Sequence, residues 1–114
     1  LNVWAAVDVG TALDPRNIEA QVQSGIIFGL SAAMFNEISL VDGAVQQRNF
    51  HNYPIMRISL APRINVRIVE NGSRIRGIGE PGTPPAAPAL GNAIYAATGT
   101  RLREMPFSKR VRFA

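Results

Sequence analysis

One long segment with a regular apolar face constrains the fold more than any other feature. Between residues 15 and 36, apolar or small side chains recur at three- and four-residue intervals, the spacing of one face of an α-helix. Asp14 is a favourable N-cap and Pro15 suits the first helical position, so we predict a helix over residues 15–36. Gly25 and Gly29 each cost about 1 kcal/mol relative to alanine inside a helix. Their presence therefore predicts close packing, which we expect to be against a sheet. The face comprises Ile18, Val22, Ile26, Gly29 and Ala33.

Shorter patterns predict the other elements. Alternating β-prone side chains predict strands over residues 2–9 and 63–70. Asp42-Gly43 is typical of a hairpin turn between two short strands. Thr83 is expected to cap a small-residue helix over residues 84–98, which Gly99 ends, and a last short strand is predicted over residues 100–107.

This order of elements predicts a single α+β domain over residues 1–114, with a small mixed β-sheet and two main helices (about 15–36 and 84–98). The chain of 114 residues suffices for one core. The aromatic side chains expected in that core are Trp4, Phe28, Phe35 and Tyr95.

The composition excludes several kinds of site. The chain has no cysteine, so it holds no disulfide, no thiolate metal site and no iron–sulfur cluster of its own. Its one histidine, His51, has no clustered acids near it in the sequence, so no metal site is predicted. The net charge of +4 is almost wholly arginine, a residue suited to carboxylates and phosphates. No nucleic-acid-binding motif accompanies it, so a nucleic-acid partner is not predicted.

The segment from Gly77 to Gly82 has the glycine spacing of a dinucleotide-binding turn. The preceding strand is predicted to stop near Val69, and the prolines after Glu80 delay the next helix, so the surrounding pattern does not fit a nucleotide site. A second interpretation is that the glycines give clearance around Glu80, which Pro81 keeps extended. The alternative function is a non-enzymatic binding module that uses this turn, or the arginines, for nucleotides or acidic partners.

Three stretches resemble one known family. "GIGEPGTPPAAPALGNAIYAATGTRLREMPF" resembles the C-terminal end of the molybdopterin-binding subunit of the xanthine dehydrogenase and aldehyde oxidase family, of the isoquinoline 1-oxidoreductase beta-subunit type. "VDVGTALDPRNIEAQVQSGIIFGLSAAMFNE" and "NFHNYPIMR" are similar to two further segments of that family, so the resemblance covers roughly residues 5–108. The chain departs from the family pattern at Gln23-Ser24-Gly25, where Glu-Gly-Gly is usual.

The resemblance implies a site and a chemistry. Glu80 corresponds to the catalytic general base of a molybdenum hydroxylase or aldehyde dehydrogenase that oxidises an N-heterocycle or aldehyde with water as the oxygen source. The cofactor would be molybdopterin with molybdenum. Residues expected at the cofactor are Gln21, Ser24, Gly25 and Gly79.

The resemblance also implies partners. The rest of the large subunit, a small iron–sulfur subunit and a cytochrome electron acceptor are expected. The isolated chain, which starts at Leu1, is expected to be an inactive fragment that binds no cofactor. Exposed apolar surface on the first helix would then favour a homodimer of the fragment. No targeting signal is visible, and a bacterial location in the cytoplasm, or in the periplasm at the membrane, is expected.

Overall fold

A computed structural model describes residues 1–113 and shows one long helix packed on a pair of parallel strands and a second helix packed against the first. The elements are β1 (Asn2–Asp8), α1 (Pro15–Phe35), β2 (Leu40–Val41), β3 (Ala44–Val45), β4 (Arg63–Val69), α2 (Ala86–Thr98) and a 3₁₀ turn (Phe107–Lys109). The predicted α+β fold is confirmed. Its parallel and antiparallel pairs lie in two separate two-stranded sheets, β1–β4 and β2–β3.

β1 and β4 run parallel, in register from Asn2 opposite Arg63 to Asp8 opposite Val69. Both strands alternate between exposed and half-buried residues, as a two-residue period requires. The half-buried side chains pack against one face of α1, which lies in the connection between the two strands. Those that contact the core are Val3, Ala5, Val7, Ile64 and Val66.

The core lies on both sides of α1. Its larger cluster comprises Val22, Ile26, Leu30, Met34 and Ala86, and its smaller one Ala33, Ile94 and Phe107. Asp14 caps α1, since its Oδ1 accepts a hydrogen bond from Asn17 N–H at 3.1 Å, as the sequence predicts. It ends one residue earlier than predicted, at Phe35.

Gly29 allows close packing, as predicted, but the expectation that it packs against the sheet was wrong. A Cβ at Gly29 would lie 2.5 Å from the Thr83 carbonyl oxygen and 2.8 Å from Ala86 Cβ. The glycine therefore accommodates the start of α2 rather than the sheet. The sequence showed that something approaches this face closely, but not which element does so.

The C-terminal segment also differs from prediction, because residues 100–107 form no strand. The segment runs as irregular chain to the 3₁₀ turn, where buried Phe107 contacts the smaller cluster. A hydrogen bond from Lys109 Nζ to Glu37 Oε1 at 2.6 Å fastens it to the end of α1 and raises the pKa of the Lys109 ammonium above its ordinary 10.5. This contact therefore stabilises the fold at neutral pH and is lost as the pH rises through that raised pKa.

Three of the four aromatic residues predicted in the core are exposed. The alternation of β1 places Trp4 on the face away from α1, where it is 75% exposed. Phe28 lies on the outer side of α1 and is 70% exposed, and Tyr95 is 42% exposed beneath the Arg101 guanidinium, 3.9 Å from its ring centroid. Only Phe35 is packed, edge-on against Phe113 with ring centroids 5.9 Å apart. Size and aromaticity alone did not predict burial, because burial depends on which side of its helix or strand each side chain lies.

Within residues 1–113, neither helix combines the length and apolarity that crossing a membrane would require.

Candidate functional site

The loop between β4 and α2, residues 70–85, carries Glu80 and is anchored first by the residues that follow β1. Thr11 N–H donates to the Arg74 carbonyl at 3.2 Å, and Arg76 N–H donates to the Val9 carbonyl at 3.1 Å. Between them, Gly10 has φ +73°, a left-handed conformation that favours glycine. A Cβ on Gly10 would lie 1.8 Å from the Arg74 carbonyl oxygen. Only glycine lets the two backbones meet here.

Side chains reinforce this first anchor. Asp8 Oδ1 accepts from Gly10 N–H at 2.9 Å, and Asp8 Oδ2 lies 3.7 Å from Arg76 Nη1. Glu70 accepts from Ala12 N–H at 2.8 Å. The Asp8-Val9-Gly10 corner that formed part of the family resemblance thus has a physical role, because it holds the upstream end of the β4–α2 loop.

The middle of the loop is fastened to α1. Gln21 Nε2 donates to the Gly79 carbonyl at 2.8 Å. The Ile78 side chain, one residue earlier, packs against the larger core cluster. These two contacts lie directly before Glu80, so they fix the direction from which the chain enters that residue.

The downstream end of the loop lies against the same helix. A Cβ at Gly82 would stand 2.8 Å from the Val22 carbonyl oxygen, so only glycine allows this approach. The Thr83 hydroxyl donates to the Gly25 carbonyl at 3.1 Å. The prediction that Thr83 caps α2 was therefore wrong. The helix begins at Ala86 with Pro85 at the N-cap and no side-chain cap.

Glu80 itself opens a tight turn. Thr83 N–H donates to the Glu80 carbonyl at 2.9 Å, with Pro81 at the second turn position, where its fixed φ is favourable. The backbone of Glu80 is thus held on both sides, by the Gln21–Gly79 bond before it and by this turn after it. A general base needs such restraint, because misplacement of the carboxylate lowers its efficiency.

The Glu80 carboxylate is exposed and forms no hydrogen bond or ion pair with any of residues 1–113. The chain has eight acidic residues. Besides Glu80, only Asp42, in the hairpin turn, has a carboxylate that forms no hydrogen bond or ion pair within residues 1–113. The six that are engaged are Asp8, Asp14, Glu19, Glu37, Glu70 and Glu104. Glu80 therefore combines a restrained backbone with a carboxylate that is available for another molecule.

A shallow open depression adjoins this carboxylate, lined by Gly77, Gly79, Glu80, Pro81 and Pro84. A Cβ at Gly77 or Gly79 would meet no atom within 4 Å, and neither glycine has a positive φ. The fold itself therefore does not require glycine at these two positions. They leave clearance beside Glu80, and their backbone is accessible to a bulky ligand.

The structure brings together three of the five predicted site residues. Gln21, Gly79 and Glu80 are linked through the Gln21–Gly79 bond and the chain itself. Ser24 is exposed on α1, one turn after Gln21. Gly25 is packed beneath the loop, since a Cβ there would lie 3.3 Å from Gly82 Cα. Within residues 1–113, no group of three or more His, Asp or Glu side chains is arranged to hold a metal ion.

Residues 77–86 do not form a dinucleotide-binding turn. β4 ends at Val69, well before Gly77, and α2 begins only at Ala86, after Gly82. Prolines at positions 84, 85 and 88 remove amide donors around the helix start that would otherwise bind a phosphate. The glycine spacing is thus used for clearance and close packing.

Comparisons with known proteins identify relatives of this chain. The molybdopterin cofactor-binding domain family matches residues 1–62. The beta subunit of isoquinoline 1-oxidoreductase from Brevundimonas diminuta is 42% identical over 104 residues, which are 91% of this chain and 13% of that protein. A membrane-bound aldehyde dehydrogenase from Gluconacetobacter polyoxogenes, whose name carries pyrroloquinoline quinone, is 39% identical over 100 residues, 88% of this chain and 13% of that protein.

A solved structure shares the fold. The crystal structure of quinoline 2-oxidoreductase from Pseudomonas putida 86 superposes with a TM-score of 0.82 at 25% identity, covering 91% of this chain and 14% of that one. The family resemblance predicted from the sequence motifs is confirmed. The chain spans about 13% of the length of the two curated relatives described above.

Proposed function

Because the chain belongs to the molybdopterin cofactor-binding domain family, we propose that it forms one wall of a molybdenum-cofactor site in the large subunit of an oxidoreductase, with Glu80 as the general base. One observation carries this proposal. The β4–α2 loop is anchored at both ends and in the middle, yet the Glu80 carboxylate that it holds has no partner among residues 1–113. Restraint of the backbone and availability of the side chain are what a general base requires.

The proposed reaction is the oxidation of an aldehyde or an electron-poor carbon of an N-heterocycle, with water as the oxygen source. When bound, the cofactor would supply the two-electron oxidation and the polarisation of that water. Glu80 would accept the proton that the water loses as its oxygen attacks the substrate carbon. The glycines beside Glu80 would leave room for the substrate and the cofactor at the carboxylate.

The residues present fit a bulky organic cofactor. Gly77 and Gly79 present backbone with no side chain over it, next to the depression that Glu80 lines. Gln21 and Ser24, both exposed on α1, would offer amide and hydroxyl groups to its polar edge. Gly25 lies in contact with the loop, and we propose that it acts by allowing that contact rather than by touching the cofactor.

The remaining partners follow from the same proposal. We propose that the electrons pass to iron–sulfur centres on a separate small subunit and then to an acceptor such as a cytochrome; this chain has no cysteine to hold such centres itself. The other walls of the site would come from the rest of the large subunit. We therefore propose that residues 1–114 by themselves bind no cofactor and have no activity.

Metal content of the purified protein tests the cofactor assignment. The full-length large subunit, purified with its partner, is expected to contain about one molybdenum per subunit by mass spectrometry, and the 114-residue chain none. Absence of molybdenum from the full-length subunit would contradict the assignment. Detection of a bound quinone by its absorption would instead favour the cofactor in the name of the aldehyde dehydrogenase relative.

Replacement of Gln21 by leucine tests the positioning of Glu80. The change removes the hydrogen bond to the Gly79 carbonyl, a loss of about 0.5–1.5 kcal/mol. We expect kcat, expressed per bound molybdenum because Gln21 is also proposed to contact the cofactor, to fall about three- to tenfold while KM stays unchanged. Gln23→Leu is the matched control, because Gln23 lies on the same helix and bonds to Glu19 and Ile64 instead of the loop. Equal effects of the two changes on kcat would exclude a positioning role for Gln21.

A further inference from the structure

β1 has two edges, of which one pairs with β4 and the other is open. An apolar groove runs along the open edge. Its volume is about 500 Å³. The floor is formed by α1 residues of the larger core cluster, Val22, Ile26, Leu30 and Met34, and the far wall by α2 residues Ala86, Ala89, Leu90 and Ala93. We call this feature the β1 groove.

The backbone of β1 faces the groove with unpaired groups. Arg63 N–H donates to the Leu1 carbonyl and Val9 N–H donates to the Val69 carbonyl, both at 3.1 Å. Odd-numbered residues of β1 therefore direct their backbone groups to β4. Because direction alternates along a strand, the N–H and C=O groups of Asn2, Trp4 and Ala6 point to the opposite edge, which has no strand within residues 1–113.

An open β1 edge with unpaired backbone groups is unfavourable. Parallel sheets are normally covered on both faces and have several strands, and a two-stranded pair is marginal by itself. An exposed edge with apolar surroundings also pairs readily with another chain. None of the residues that line the groove is charged, so its occupant is an apolar extended segment rather than an ionic one.

The shape of the groove restricts the source of that segment. α2 lines the far side, so an extended chain that pairs with β1 would lie between β1 and α2. The β1 edge of a second copy would bring its own α1 and α2 against those of the first, whereas a single strand brings no such bulk. The floor is the buried core itself, which is continuous with the groove, and one core is built mostly from one chain.

We propose that a β-strand from the same large subunit, outside residues 1–114, pairs with β1 in the β1 groove and completes the sheet. The relatives supply the chain length that this requires, because the aligned segment makes up only 13% of two of them. The strand has apolar side chains at alternate positions, which contact the floor residues of α1, and its backbone bonds to Asn2, Trp4 and Ala6. This proposal does not depend on the role of Glu80.

Residue-resolved hydrogen exchange on the unmodified full-length subunit tests the pairing. The amides of Val3, Ala5 and Val7 point to β4, so they are internal controls that should exchange slowly in either case. The amides of Trp4 and Ala6 are expected to exchange as slowly as these, at least about 100-fold slower than in an unstructured peptide. Fast exchange of Trp4 and Ala6 beside slow exchange of the odd-numbered amides would overturn the proposal.

A photo-reactive phenylalanine analogue at Ala89, on the wall of the β1 groove, identifies the occupant. The expected cross-link joins Ala89 to a peptide of the same subunit, outside residues 1–114, with alternating apolar residues. The same analogue at Asn92, exposed on α2 but not lining the groove, is the control. A cross-link to another subunit, to an isotope-labelled second copy, or none above the Asn92 level would contradict the proposal.

Discussion

Glu80→Gln in the full-length large subunit is expected to lower kcat by about 100- to 10,000-fold, the usual contribution of a general base. Glutamine keeps the size of the side chain, and the Gln21–Gly79 bond and the turn to Thr83 involve only the backbone around Glu80. The loop should therefore keep its conformation, and molybdenum content and thermal stability should not change. Steady-state kinetics together with metal analysis of the same preparation measure both quantities.

Asp42→Asn is the matched control for this change. Asp42 is the other carboxylate that forms no hydrogen bond or ion pair in the described part of the chain, and it lies in the β2–β3 hairpin, away from the β4–α2 loop. Its replacement removes the same charge and should leave kcat unchanged. If Glu80→Gln retains most of the activity while molybdenum is present, Glu80 is not the base and the proposed mechanism is wrong.

Gly10→Ala is expected to give the largest loss of stability, about 2–4 kcal/mol. A left-handed alanine costs about 1 kcal/mol. The new methyl group would also meet the Arg74 carbonyl oxygen at 1.8 Å, which must displace the loop and weaken the two backbone hydrogen bonds on either side, at about 1 kcal/mol each. A lower melting temperature and faster proteolytic cleavage between residues 70 and 85 would show this. Turnover should fall as well, because the upstream anchor of Glu80 is lost.

Gly43→Ala separates the backbone strain from the steric contact with Arg74. Gly43 has a similar φ, +77°, but a Cβ there would meet nothing within 4 Å. This change should therefore cost only the backbone strain of about 1 kcal/mol. If Gly10→Ala destabilises the subunit no more than Gly43→Ala does, the contact with Arg74 is not what makes glycine necessary at position 10.

Local patterns predicted the elements where local physics decides them. The cap by Asp14, the apolar period of α1 and the alternation of β1 and β4 each depend on neighbours within a few residues, and all three are present. The end of α2 at left-handed Gly99 is of the same kind. The predicted strand over residues 100–107 failed because a strand needs a partner, and none lies beside this segment within residues 1–113.

The contacts between distant parts of the site could not be predicted from the sequence. Glu80 stood out because of its glycines, its prolines and the family resemblance. The hydrogen bond from Gln21 to Gly79 joins residues 58 positions apart. The contact of Gly10 with Arg74 joins residues 64 positions apart. Neither contact has a local signal in the residues concerned.

By itself, the sequence determined the two long helices, the strands β1 and β4 and which carboxylate lies among glycines, because capping, periodicity and steric freedom are properties of adjacent residues. The tertiary structure alone decided that Gly29 and Gly82 serve the contact of α1 with the loop and α2, and that the corner after β1 anchors the same loop. It also decided that Trp4 is exposed and that one edge of β1 is open. These features depend on how distant segments pack, and packing of that kind is set by the whole fold.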